Sequence, residues 1–131
     1  MLIRTVSVPV TDQSRALDFY TNKLGFVKKH DIPLGGDHRW LTVVSPQEPD
    51  GPEVLLEPAP LHMEEAAVFQ KALYSKGIPN GQFNVDNVEE EYNKLKAAGV
   101  EFSVEPKNVG TAIIAVLDDT CGNYIQLIQM L

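Results

Sequence analysis

Few side chains of this sequence have the chemistry to move a proton or hold an ion, and they are scattered. The three histidines, His30, His38 and His62, each fall in or beside a loop and share no ligand-like spacing, so they read as surface residues. His62 follows a strand-like run ended by Pro58, where it could close over a site. Cys121 lies in a turn with no basic neighbour in sequence, which gives its thiol no activation as a nucleophile. Glu53 and Glu57 fall on one face of the run Glu53-Val54-Leu55-Leu56-Glu57, so a carboxylate pair is conceivable; Glu57 could act as a base if burial raised its pKa. Trp40 is the sole tryptophan; it reads either as core or as a wall that stacks on a planar or cationic ligand. Tyr124 shares parity with Gln126 and Ile128. No glycine-rich run opens a helix in a phosphate-binding pattern, and no serine-nucleophile elbow is present.

The elements that carry these residues repeat. In Thr5-Val6-Ser7-Val8-Pro9-Val10 the valines share one strand face, and Thr5, Ser7 and Pro9 the other. Asp12 suits a helix N-cap; Ala16, Tyr20 and Leu24 make an apolar stripe, and Gly25 suits the stop. Strands are expected at 26–30, 39–45 and 53–57, with a loop over Pro33–Asp37. A helix over 64–76 leads to a short linker, Ile78-Pro79-Asn80-Gly81. The pattern then recurs: a strand at 82–85, a cap at Asp86 or Asn87, a helix with Val88, Tyr92 and Leu95, a stop at Gly99, and strands near 101–104, 111–117 and 123–129. The same interval separates Asp12 from Gly25 and Asp86 from Gly99, although Val10 stands two before Asp12 and Val85 one before Asp86. An internal βαβββ repeat follows: module one about 1–60, a linker helix about 62–79 and module two about 80–131, within a single domain.

A length of 131 residues fits one domain with one modest core. The net charge of −7 argues against nucleic acid and anionic membrane as partners; beyond solubility, it would suit a cationic ligand. One cysteine, no signal-peptide pattern and no long apolar run point to a cytoplasmic protein.

The string Val10, Asp12, Ala16, Phe19, Tyr20, Leu24, Gly25, Phe26 resembles the opening of the vicinal oxygen chelate superfamily, which includes glyoxalase I, the bleomycin resistance proteins and extradiol dioxygenases. Residues 84–100 and 118–128 are similar to its second module. The resemblance implies an α+β fold in which two βαβββ modules form a cup-shaped, eight-stranded mixed sheet, often completed as a homodimer. Helices would cover the face of Val6, Val8 and Val10, and Thr5 and Ser7 would face a pocket with Trp40, Gln82, Tyr124 and Gln126. The ligand positions of metal-using relatives fall on Thr5, Glu57, about Asn80 or Gln82, and Gln126. One carboxylate with neutral oxygens is a poor set for a divalent transition metal, so no cofactor is expected. The resemblance therefore implies a small-molecule-binding member. The alternatives are a glyoxalase-like lyase or isomerase with Glu57 as base, and a metal-dependent lyase or dioxygenase.

Overall fold

The computed structural model describes residues 1–59 and 63–131, so His62 lies outside the described residues. Among these residues the chain forms two four-stranded mixed sheets and three helices, an α+β fold. Two compact units divide it, Met1–Val68 and Phe69–Leu131. Helix α2 (Glu64–Ser75) runs through the division.

In the first unit, β1 (Thr5–Val10), β2 (Val27–Gly35), β3 (His38–Val44) and β4 (Glu53–Pro58) form sheet 1 in the order β1-β4-β3-β2. β1 and β4 run parallel, and the other pairs antiparallel. In the second, β5 (Gln82–Asn84), β6 (Phe102–Asn108), β7 (Ala112–Asp118) and β8 (Tyr124–Met130) repeat this as β5-β8-β7-β6, with β5 parallel to β8.

The helices that follow β1 and β5 start and stop by the same chemistry. Asp12 Oδ1 accepts the Arg15 backbone N–H at 2.9 Å and opens α1 (Gln13–Asp18). Asn87 Oδ1 accepts that of Glu90 at 3.1 Å and opens α3 (Val88–Ala97). Both helices end at a left-handed glycine, Gly25 with φ of 83° and Gly99 with φ of 91°. With Asn87 rather than Asp86 as the cap, Val10 and Val85 each stand two residues before their caps. The first interval is then one residue longer, because α1 continues into a π-helical turn, Phe19–Lys23. The closing hydrogen bonds carry the same offset: Phe26 N–H reaches back to the Tyr20 carbonyl, and Val100 N–H to that of Leu95, both 3.0 Å.

Two strands run further than the sequence indicates. β2 continues through Pro33 to Gly35, and β6 through Pro106 to Asn108. Both are edge strands, where a missing backbone donor can face away from the ladder.

Each sheet buries one face under its own helix. Val8, Val10, Leu41, Val43, Val54 and Leu56 are buried on the α1 face of sheet 1, with Ala16, Phe19 and Tyr20 from the helix. Val6 shares their parity but is 46% exposed, since it lies toward the strand start, far from the α1 end of β1. Gln13 fixes α1 to this sheet: its Nε2 donates to the carbonyls of Arg39 and Leu56 at 2.7 and 2.8 Å, and its Oε1 accepts the Arg39 N–H at 3.0 Å. In sheet 2, Ala115, Leu117, Ile125 and Leu127 are buried on the side of α3, with Val88, Tyr92 and Leu95.

Candidate functional site

Residues paired across a ladder project to the same side, so the register defines what each sheet presents on the face away from its helix. In sheet 1, Thr5 pairs with Glu53, Ser7 with Leu55 and Pro9 with Glu57. Thr42 pairs with Leu55 and His30, and Trp40 with Ile32. This second face thus carries Thr5, Ser7, His30, Trp40, Thr42, Glu53 and Glu57. Trp40 is 38% exposed and so lies outside the buried core.

Register also separates residues. Glu53 and Glu57 lie about 13 Å apart along β4, at about 3.3 Å per residue, with Leu55 between them. They form no carboxylate pair. The same distance separates Thr5, opposite Glu53, from the level of Glu57, so these two cannot ligate one ion. Glu57 has no side-chain hydrogen bond or ion pair among the described residues.

The carboxylate opposite Thr5 is part of a network that sequence reasoning missed. Buried Thr42 donates its hydroxyl to Glu53 Oε1 at 2.6 Å, and His30 Nδ1 lies 2.8 Å from the same oxygen. The backbone N–H of His30 donates to Thr42 Oγ1 at 3.1 Å. The Thr42 hydrogen bond, helped by the neighbouring His30, holds the Glu53 carboxyl below the usual carboxylate range. A β-bulge creates the arrangement. Lys28 pairs with Val43 but His30 with Thr42, so Lys29 is the extra residue. Without it His30 would turn to the α1 face. No periodicity argument registers such an insertion; only the ladder does.

In sheet 2, Gln82 pairs with Gln126, and Asp118 with Tyr124. Gln126 Nε2 donates to Gln82 Oε1 at 2.7 Å, so one amide oxygen is occupied by the other amide. Tyr124 stacks on Tyr74 from α2, with centroids 4.5 Å apart and planes 3° from parallel. The Tyr74 hydroxyl donates to Asp118 Oδ2 at 2.5 Å. This bond, and then the Tyr124 contact, raise the Tyr74 phenol well above its usual pKa.

The four positions at which metal-using relatives carry ligands therefore do not fit a divalent transition ion. Thr5 and Glu57 are too far apart, Gln82 and Gln126 bind each other, and no group of three His, Cys, Asp or Glu side chains among the described residues could hold a metal.

The twice-repeated module, with α1 or α3 on one sheet face and polar or aromatic residues on the other, defines a class of protein. Residues 2–127 match the Glyoxalase/Bleomycin resistance protein/Dioxygenase superfamily, and the chain belongs to it. Over 129 residues it is 50% identical to YurT of Bacillus subtilis (strain 168), covering 98% of this chain and 99% of that protein. Among solved structures it is similar to UcmS2, at 35% identity and a TM-score of 0.82, with 98% of this chain and 97% of that chain covered. It is also similar to TnmS3, an antibiotic binding protein from Streptomyces sp. CB03234, at 27% identity and a TM-score of 0.74, with 100% and 97% covered. Among the described residues, no helix is long and apolar enough to cross a membrane.

Proposed function

We propose that this chain is a small-molecule-binding member of the superfamily that holds its ligand reversibly and without a chelated transition ion. The observation that carries the reading is the donor set at the family's ligand positions. Thr5, Gln82 and Gln126 are neutral, and Glu57, the one carboxylate, stands out of reach of Thr5. The likeness to an antibiotic binding protein supports the same reading. Thr5, Ser7 and Trp40 on the second face of sheet 1, and separately Gln82, Tyr124 and Gln126 on that of sheet 2, are the proposed contact residues. Each face by itself combines hydrogen-bonding side chains with an aromatic one, the chemistry expected of a small-molecule site. The net charge of −7 favours cationic or neutral ligands over anions. We further infer a homodimer, since edge strand β2 is exposed along its length and Leu34 projects an apolar side chain, and a cytoplasmic location from the single cysteine.

A second reading, a glyoxalase-like lyase or isomerase, draws support from Glu57. Its carboxylate lies on the second face without a partner among the described residues and would serve as the base.

Thermal denaturation against cationic glycopeptides and 2-oxo thiol adducts tests both, with metal analysis of the purified protein. Binding raises stability by about 2.7 kcal/mol at a ligand concentration of about 100 times Kd. The expected result is stabilisation without turnover and with substoichiometric zinc, nickel or iron. Turnover abolished by Glu57→Gln would replace binding by catalysis, and a stoichiometric ion would contradict the metal-free reading.

A further inference from the structure

We propose that His30 and Glu53 form a carboxylate-oriented imidazole that accepts the acidic hydroxyl of a phenolic or enolic ligand on the second face of sheet 1. This rests on the reading of that face as a small-molecule site and names the ligand chemistry it selects.

The hydrogen positions in the network follow from its donors and acceptors. Thr42 Oγ1 accepts the His30 backbone N–H and gives its own hydrogen to Glu53 Oε1. An ionised carboxylate only accepts, so the 2.8 Å contact requires a hydrogen on His30 Nδ1. In the neutral ring the lone pair is then on Nε2. That nitrogen has no partner among the described residues, on a side chain 45% exposed, while Glu53 is only 16% exposed. Thr42 is fully buried and holds the carboxylate from behind. A β-bulge at Lys29 is the backbone device that aims the imidazole here, and bulges re-aim side chains next to functional sites.

The arrangement selects its ligand. Nε2 accepts and does not donate, so the ligand must supply the hydrogen. In the transfer, the ligand O–H bond breaks and an Nε2–H bond forms. The ligand becomes an oxyanion and His30 an imidazolium, whose charge is stabilised by Glu53 at Nδ1. No oxidant or second reactant is needed. Such a site favours a phenol or enol over an alkyl alcohol, because the proton must be acidic enough to move or to be shared strongly. The neighbouring pair on the same face, Ile32 and Trp40, offers an apolar and aromatic surface to the ring that bears the hydroxyl. The other titratable side chains on this face are His38 and Glu57, and Lys29 adds a cation near Glu53.

7-Hydroxycoumarin and its methyl ether, 7-methoxycoumarin, test the proposal by fluorescence titration of the full chain. The hydroxyl compound should bind at least about tenfold more tightly, a difference of about 1.4 kcal/mol, and its excitation spectrum should shift toward the anion. His30→Gln and Glu53→Gln should reduce its affinity to that of the ether and leave the ether's affinity unchanged. Equal binding of both compounds, insensitive to these variants, overturns the base and leaves the binding reading standing. Failure of the hydroxyl compound to bind overturns the base, whereas the binding reading stands or falls by the thermal-denaturation panel. Nitrogen-15 NMR of His30 reads the network without any ligand. The neutral ring should be the Nδ1–H tautomer, reverting to Nε2–H in Glu53→Gln; an Nε2–H ring in the unmodified protein overturns the proposal.

Discussion

Thr42 and Glu53 stand in adjacent strands with the threonine hydroxyl donating to the carboxylate across 2.6 Å, and this bond is the largest cause of the carboxyl's depressed pKa. A folded-state value below the ordinary 4.5 means the stabilisation is complete above that pH and is lost as the pH falls through the folded value. Thr42→Val should move the Glu53 titration, followed by side-chain carbon-13 NMR, up toward 4.5. It should cost about 1–2 kcal/mol at neutral pH, with a smaller difference in acid. An unmoved Glu53 titration would remove Thr42 as its cause.

Tyr74 gives the opposite sign. Its phenol is raised by donation to Asp118, so that contribution holds below the ordinary 10.0 and disappears only as pH rises through the folded value. Ultraviolet titration should show Tyr74 as a late step that is absent in Tyr74→Phe and moves to lower pH in Asp118→Asn. Its persistence in Tyr74→Phe would assign it to another tyrosine.

Gln13 satisfies three backbone groups at once, the Arg39 N–H and the carbonyls of Arg39 and Leu56. Gln13→Leu leaves them without that partner under α1. Chemical denaturation should register a loss of roughly 2–4 kcal/mol. A change under about 0.5 kcal/mol, the range of an ordinary surface site, would contradict the anchoring role.

Gly25 and Gly99 allow a cleaner comparison, because a Cβ at either would meet nothing within 4 Å. Only the left-handed backbone is then penalised, so Gly25→Ala and Gly99→Ala should each cost about 1–2 kcal/mol. A much larger loss at one position alone would show that the two helix stops are not equivalent.

The repeat was legible because its punctuation is local chemistry: Asp12 and the Asp86-Asn87 pair offer caps, Gly25 and Gly99 stop, and the valines alternate. The face shared by Tyr124 and Gln126 was legible too, because β8 is regular and parity holds along it, whereas Gln82 joins that face only through its pairing with Gln126. The π turn after α1 was not, since no residue type marks it and the interval matched when counted from Asp86. The strands expected at 26–30 and near 101–104 stop short of Pro33 and Pro106, because whether a strand can pass through a proline depends on whether it lies at an edge, which is a property of the sheet. His30, Thr42 and Glu53 come from three strands and meet only through a bulge, so their chemistry belongs to the register and not to any one segment.

Trp40 is the sole tryptophan and stands on the second face of sheet 1, so its emission reports on that proposed contact face. Titrating each ligand that raises the melting temperature, while following Trp40 fluorescence, tests the central claim most directly. Quenching or a spectral shift that saturates with the dissociation constant obtained from thermal stabilisation is the predicted result. Stabilising ligands that leave the Trp40 emission unchanged at saturation would contradict it.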